Sequence, residues 1–179
     1  KTLKCAYLYG KTVTLVNTHW PETNAKMLKN RRIGLSQSGI IQAFKKHGRR
    51  NLLEWSDQAY DHVRKLDTEY SNWLCVPRSI KVTSIKPSGT VSLLNGSTPG
   101  IHFPEDEYYI RRIRFSKTSS MLTDLEKAGY HIEDDAYSPN TSVVEFPVKE
   151  EHFTKGKKDV SMWEQLEIAA QYQNYWADN

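Results

Sequence analysis

Apolar positions divide the chain into short segments whose periods alternate between those of strands and helices. The clearest helical stretch is Glu54 to Leu74, where Trp55, Ala59, Val63, Leu66, Tyr70 and Trp73 recur every three or four residues. That spacing predicts an amphipathic helix with one buried stripe. Pro77 forbids its continuation. Upstream, the β-branched run Lys11 to Val16 (KTVTLV) predicts a strand. A polar loop over 17–24 follows it, then a helical turn over Ala25 to Lys29. Ser36 to Phe44 predicts a short helix with Ile40, Ile41 and Phe44 on its apolar side and Gly48 as its terminator.

Downstream of Pro77, Ser79 to Ile85 (SIKVTSI) alternates as a strand and leads through Lys86-Pro87-Ser88-Gly89-Thr90 into a helix start that Gly96, Pro99 and Gly100 soon end. Tyr109 to Phe115 predicts a strand, and Ser120 to Lys127 a helix with Met121, Leu122 and Leu125 inward, closed by Gly129. Ser142 to Val148 predicts a strand whose end Pro147 weakens. Ser161-Met162-Trp163-Glu164 is a capping box that opens a last helix running through Leu166, Ala169, Ala170 and Tyr172 to about Trp176. Strands alternating with helices predict an α/β fold with at least partly parallel strands, and nothing divides the chain into two domains.

Composition narrows the class. The 179 residues are 38% apolar and 11% aromatic, enough for a core and against disorder. No run of about 18 apolar residues predicts a membrane span, and residues 1–5 lack the apolar core of a signal peptide. Cys5 and Cys75 cannot form a disulfide framework or a closed zinc site by themselves; beside Ala6, Leu74 and Val76 they read as buried, inert thiols in a reducing, cytoplasmic compartment. The net charge of +4 is mild. Basic clusters at 31–32, 45–50, 111–114 and 155–158 could meet phosphates, but acidic patches interrupt them and no nucleic-acid motif accompanies them, so most read as solvated surface.

One segment carries candidate chemistry. Ser88-Gly89-Thr90 follows a strand and opens a helix, where free N–H groups and a partial positive charge can hold a phosphate. Gly89 lets a backbone approach an oxyanion, and Ser88 and Thr90 add hydroxyls. The spacing is neither that of a Walker loop nor of a dinucleotide fingerprint, and an ordinary N-cap with a turn explains the same residues. His19 and His102 read as structural hydrogen-bonders. No Ser–His–Asp arrangement and no metal-ligand set can be argued from spacing.

Several stretches together resemble one family. They are Thr18-His19-Trp20-Pro21-Glu22-Thr23-Asn24-Ala25 with Asn30-Arg31-Arg32-Ile33-Gly34; Lys86 to Leu94 with Gly96 and Thr98-Pro99-Gly100-Ile101-His102; Tyr108 to Arg114; and the end Tyr175-Trp176-Ala177-Asp178-Asn179. In this order they resemble the adenosylcobalamin-dependent (class II) ribonucleotide reductases, in particular the monomeric ribonucleoside-triphosphate reductases. The Pro-Ser-Gly-Thr form is closer to class II than to the di-iron class I enzymes.

The resemblance implies a ten-stranded α/β barrel, of which residues 1–179 form a C-terminal part cut at both ends. The family's substrate-phosphate loop falls on Ser88, Gly89, Thr90 and Val91, with Ser92 nearby. The resemblance also implies adenosylcobalamin, a ribonucleoside triphosphate substrate, thiyl-radical replacement of the 2′-hydroxyl and a thioredoxin-type reductant. The finger-loop pattern Asn-x-Cys-x-Glu is not found, and neither Cys5 nor Cys75 matches a catalytic position, so no catalytic residue is carried over. His102 is a weak candidate for the cofactor side. The alternative is a stand-alone phosphate- or nucleic-acid-binding module that uses the basic clusters.

Overall fold

A computed structural model describes every residue of the chain except Thr90, His152 and Asn179. Its elements, in order, are α1 (Thr2–Val13), α2 (Pro21–Asn30), α3 (Ile40–His47), α4 (Arg49–Trp73), a single turn α5 (Val91–Leu94), β1 (Tyr108–Ser116), α6 (Met121–Lys127), β2 (Ile132–Asp134), β3 (Thr141–Lys149) and α7 (Met162–Tyr175). A 3₁₀ turn at Lys157–Asp159 precedes α7.

The N-terminal strand expected over Lys11 to Val16 is instead the end of α1 and the turn after it. Tertiary contact overrides the β-branched run. Tyr7 and Lys11 lie one turn apart on the face of α1 that meets α4, and both are fully buried. Lys11 Nζ pairs with Asp67 of α4 at 3.0 Å and also donates to Ser79 Oγ (3.0 Å) and Pro77 O (3.1 Å). Tyr7 donates its hydroxyl to Asp67 at 2.5 Å, and the Ser79 N–H donates to both carboxylate oxygens. A strand would turn Lys11 out of this network.

Two clusters make the core. Tyr7, Ile33, Val63, Leu66, Tyr70 and Val82 join α1 and α4 to two extended segments. Ile40, Ile41, Leu53, Ile101, Phe103, Ile168, Tyr172 and Trp176 join α3, α4 and α7 to the chain after α5. In α4 the buried face differs from the apolar stripe: Trp55 and Trp73 are exposed, while Ser56, Asp67 and Ser71 are buried. Hydrophobic spacing cannot see that a buried cation demands polar residues on this face. In α7 the inward line is Ile168, Tyr172 and Trp176, and Leu166 faces out. Ser161 Oγ accepts the Glu164 N–H (3.1 Å), as the capping pattern predicts. Met121 of α6 is exposed rather than inward.

The named strands form one antiparallel sheet of order β1-β3-β2. Pro147 sits inside β3, opposite Ile110. β2 has no apolar alternation to announce it; its acids meet β1 and the residue that follows it, Arg112 pairing with Glu133 and Lys117 with Asp134 (2.7 Å). Among the described residues, the expected parallel pairing is found between the extended segments 33–35 and 80–84. There Ile33 N–H donates to Lys81 O, Leu35 N–H to Val82 O, and Ser84 N–H to Leu35 O, around one parallel bridge, Leu35–Thr83. No described helix is long and apolar enough to cross a membrane.

Burial pushes the Asp67 carboxyl up, but hydrogen bonds from Tyr7, Ser79 and Lys11 outweigh it and hold it below the ordinary 3.8. Its stabilising contribution is complete above that ordinary value and declines as pH falls through the depressed native one. Asp67→Ala leaves a buried ammonium without its partner and should cost about 3–5 kcal/mol in urea unfolding followed by circular dichroism. An Asp67→Ala chain as stable as the parent would overturn the assignment of this network as the clamp between α1 and α4.

Candidate functional site

The segment 79–85 delivers the chain to Lys86 and Pro87, both exposed, and then to Ser88, whose backbone is left-handed (φ 46°). A non-glycine residue there costs about 1–2 kcal/mol. Three bonds hold it. The Gly100 N–H donates to Ser88 Oγ at 2.9 Å, Ser38 Oγ lies 2.7 Å from the same oxygen, and Ser88 O accepts the Ser92 N–H at 3.0 Å. The loop closes at Gly100, also left-handed (φ 51°), where an added Cβ would stand 2.3 Å from the Lys86 carbonyl oxygen. No other residue fits at that approach.

Beyond Ser88 the loop is open. An added Cβ on Gly89 would meet nothing within 4 Å, and Val91 is 61% exposed. Thr90, the third expected phosphate ligand, lies outside the described residues. Ser92 is buried, and its Oγ has no hydrogen-bond partner among the described residues; the same holds for Thr98 Oγ1. Buried hydroxyls without partners are uncommon and call for an explanation such as a bound ligand or water. The helix that follows is one turn long, so its dipole is small, and local N–H groups and hydroxyls are the available donors.

The return of the loop is tied to the start of α3. The Gly39 N–H donates to Thr98 O (2.8 Å), Gln42 Oε1 accepts the Thr98 N–H (3.2 Å), and Gln42 Nε2 donates to Gly96 O (3.3 Å). Ser38 and Gln42 carry no signal in the sequence, because their partners lie 50 or more residues away.

Several residues of the basic clusters are paired with acids. Arg112 and Arg114 pair with Glu133, Glu145 and Asp135, Arg49 with Glu167, Lys155 with Glu164, and Lys157 with Glu105. Both cysteines are exposed, which corrects the expectation of buried thiols. Cys5 lies on the outer side of α1, and Cys75 follows the end of α4 with a left-handed backbone (φ 56°).

No family model matches the chain. Curated relatives do. It is 50% identical over its whole length to the adenosylcobalamin-dependent ribonucleoside-triphosphate reductase of Euglena gracilis, and 51% identical to the probable one of Dictyostelium discoideum. It is 36% identical, over 96% of its length, to the reductase of Lactobacillus leichmannii. A crystal structure of a B12-dependent (class II) ribonucleotide reductase matches 99% of the chain with a TM-score of 0.82 at 35% identity. This chain is homologous to one segment of the class II ribonucleotide reductases. It spans about a quarter of the length of the curated relatives, 25% and 24% of the first two, and 29% of the crystallised chain. Its helices and small sheet therefore match one part of the fold of that class II reductase.

In this chain, His102 is exposed and stands at a separate hollow of about 450 Å³ with Phe103, Glu105, Lys157, Ser161 and Gln165; of the loop, Ser88, Gly89, Val91 and Ser92 do not line it. No group of three or more metal-ligating side chains occurs among the described residues.

Gly100→Ala should open the loop, because the new methyl group collides with Lys86 O in a backbone region costly to alanine. The expected readout is faster hydrogen exchange at the N–H of residue 100 and a loss of about 2 kcal/mol or more in stability. Gly89→Ala, facing open space, should change stability by less than about 1 kcal/mol.

Proposed function

We propose that residues 1–179 form a C-terminal part of the catalytic α/β barrel of an adenosylcobalamin-dependent ribonucleoside-triphosphate reductase. Within it, the chain supplies the loop that holds the substrate's phosphates. The observation that carries the loop assignment is the contrast between its closed base and open crown. Ser88 and Gly100 are bonded within the protein, while Gly89 faces open space and the Ser92 hydroxyl is buried without a partner among the described residues. A phosphate group offers several strong acceptors to backbone N–H groups and hydroxyls arranged in this way. Gly89, Thr90, Val91 and Ser92 are the residues on which the phosphates rest, and Ser88 sets the turn.

In the whole enzyme the reaction is the thiyl-radical replacement of the ribose 2′-hydroxyl by hydrogen, with a thioredoxin-type reductant restoring the thiols, in the cytoplasm. Adenosylcobalamin belongs to that enzyme, His102 is the one candidate for its side in this segment, and no step here runs through it. Cys5 and Cys75 take no part in the radical chemistry. The role of this chain is to bind and orient: a triphosphate held at one end fixes the ribose at the other, which removes much of the entropic cost of reaction.

The test is steady-state kinetics of the full-length reductase carrying Ser88→Ala and Thr90→Ala together. The nucleotide KM should rise about tenfold or more, the loss of about one to two hydrogen bonds, with circular dichroism unchanged. Unaltered nucleotide kinetics in a folded double variant would rule the loop out as the phosphate site.

A further inference from the structure

Ser88 holds the loop's least favourable backbone, and its hydroxyl is already engaged. Ser88 Oγ accepts from the Gly100 N–H (2.9 Å) and shares a hydrogen bond with Ser38 Oγ (2.7 Å). With an N–H and a second hydroxyl on one oxygen, the Ser88 hydroxyl has no proton to spare for a ligand unless Ser38 supplies the one between them. Ser38 lies between the extended segment 33–35 and α3, fifty residues from Ser88. It stands next to Gly39, whose N–H donates to Thr98 O, and four residues from Gln42, which bonds Gly96 and Thr98. The start of α3 thus grips the loop at both ends of its arc: at Ser88, where the arc begins, and at 96–98, where it returns.

We infer that Ser38 is a positioning residue for the phosphate loop: through its hydroxyl it holds Ser88 in the left-handed turn that presents Gly89 and the residues after it to the ligand. This rests on the phosphate-loop reading above. A strained backbone persists where its surroundings over-determine it, and the three bonds on Ser88 do so. Ser38 itself is largely exposed, so a merely structural hydroxyl there would matter little to folding. Its effect is on the shape of the loop. Because it acts on the part that meets phosphates rather than base, its loss should weaken every ribonucleoside triphosphate alike.

The experiment uses the full-length reductase that carries this chain, with Ser38→Ala, Ser38→Thr, Ser88→Ala, the Ser38→Ala/Ser88→Ala double variant and Gly89→Val. KM and kcat are measured for each ribonucleoside triphosphate in turn, with melting temperature alongside. Ser38→Ala should raise KM about five- to tenfold for all of them, more than it lowers kcat, with little change in melting temperature. Ser38→Thr, which keeps the hydroxyl, should restore it. The double variant should be no worse than Ser88→Ala, since both act through one bond. Additive losses, a base-dependent loss, or a fall in melting temperature with KM unmoved would each overturn the role of Ser38. Gly89→Val separates the two readings. If it raises KM while Ser38→Ala does not, the positioning role fails and the phosphate loop stands. If neither moves KM, the phosphate reading itself fails.

Discussion

The buried carboxylate of Asp67 is the constraint on which the rest depends. It takes the phenol of Tyr7 and the ammonium of Lys11 from α1, the Ser71 hydroxyl from its own helix, and the backbone N–H of Ser79 from the extended segment. A charge pair that is 0% and 1% exposed persists only when its hydrogen-bonding capacity is met, and here it is met by three parts of the chain at once. The result fixes where the chain leaves α4 and therefore the direction in which 79–85 runs. Its other end is held as well, since the Val82 and Thr83 N–H groups donate to the Asp178 carboxylate and the Thr83 hydroxyl to Trp176 O. The candidate loop begins where this doubly anchored segment stops.

The loop shows a division of labour within one short stretch. Its framework donors and acceptors are used internally, at Ser88, Gly96, Thr98 and Gly100. Its crown, around Gly89 and Val91, is left open. A one-turn helix has too little dipole to bind an anion by field alone, so the precision of the turn matters more than the helix behind it. That precision comes from the start of α3, a neighbour in space and not in sequence.

How far these features were legible can be judged residue by residue. The long helix α4 is legible because its period extends over many turns, although its true buried face is not: the period places Trp55 and Trp73 inward, where the fold buries Ser56, Asp67 and Ser71 and leaves both tryptophans exposed. The Ser161 cap, the strands around Ile113 and Val144, and the terminators Gly48 and Gly129 were legible because each is a local rule. The run Lys11 to Val16 favours a strand locally, but that β propensity is weaker than a buried ion pair made across 56 residues. The antiparallel sheet and the short β2 were missed because strand pairing is a non-local choice. The motif around Pro87, Ser88 and Gly89 stands out as a candidate, yet its residues alone favour an ordinary N-cap with a turn over a phosphate site.

The sequence by itself determined what depends on neighbours a few positions apart: helix periods, caps, turn glycines and the ordered motifs that resemble class II reductases. Tertiary structure alone decided which hydroxyls are free and which are bound. It gave the Ser88 hydroxyl two partners within the protein, brought Ser38 and Gln42 to the loop, exposed both cysteines, and set His102 at a separate hollow. The physical reason is that a hydrogen bond or a buried charge is worth what its partners make it worth, and those partners are chosen by the fold, tens of residues away.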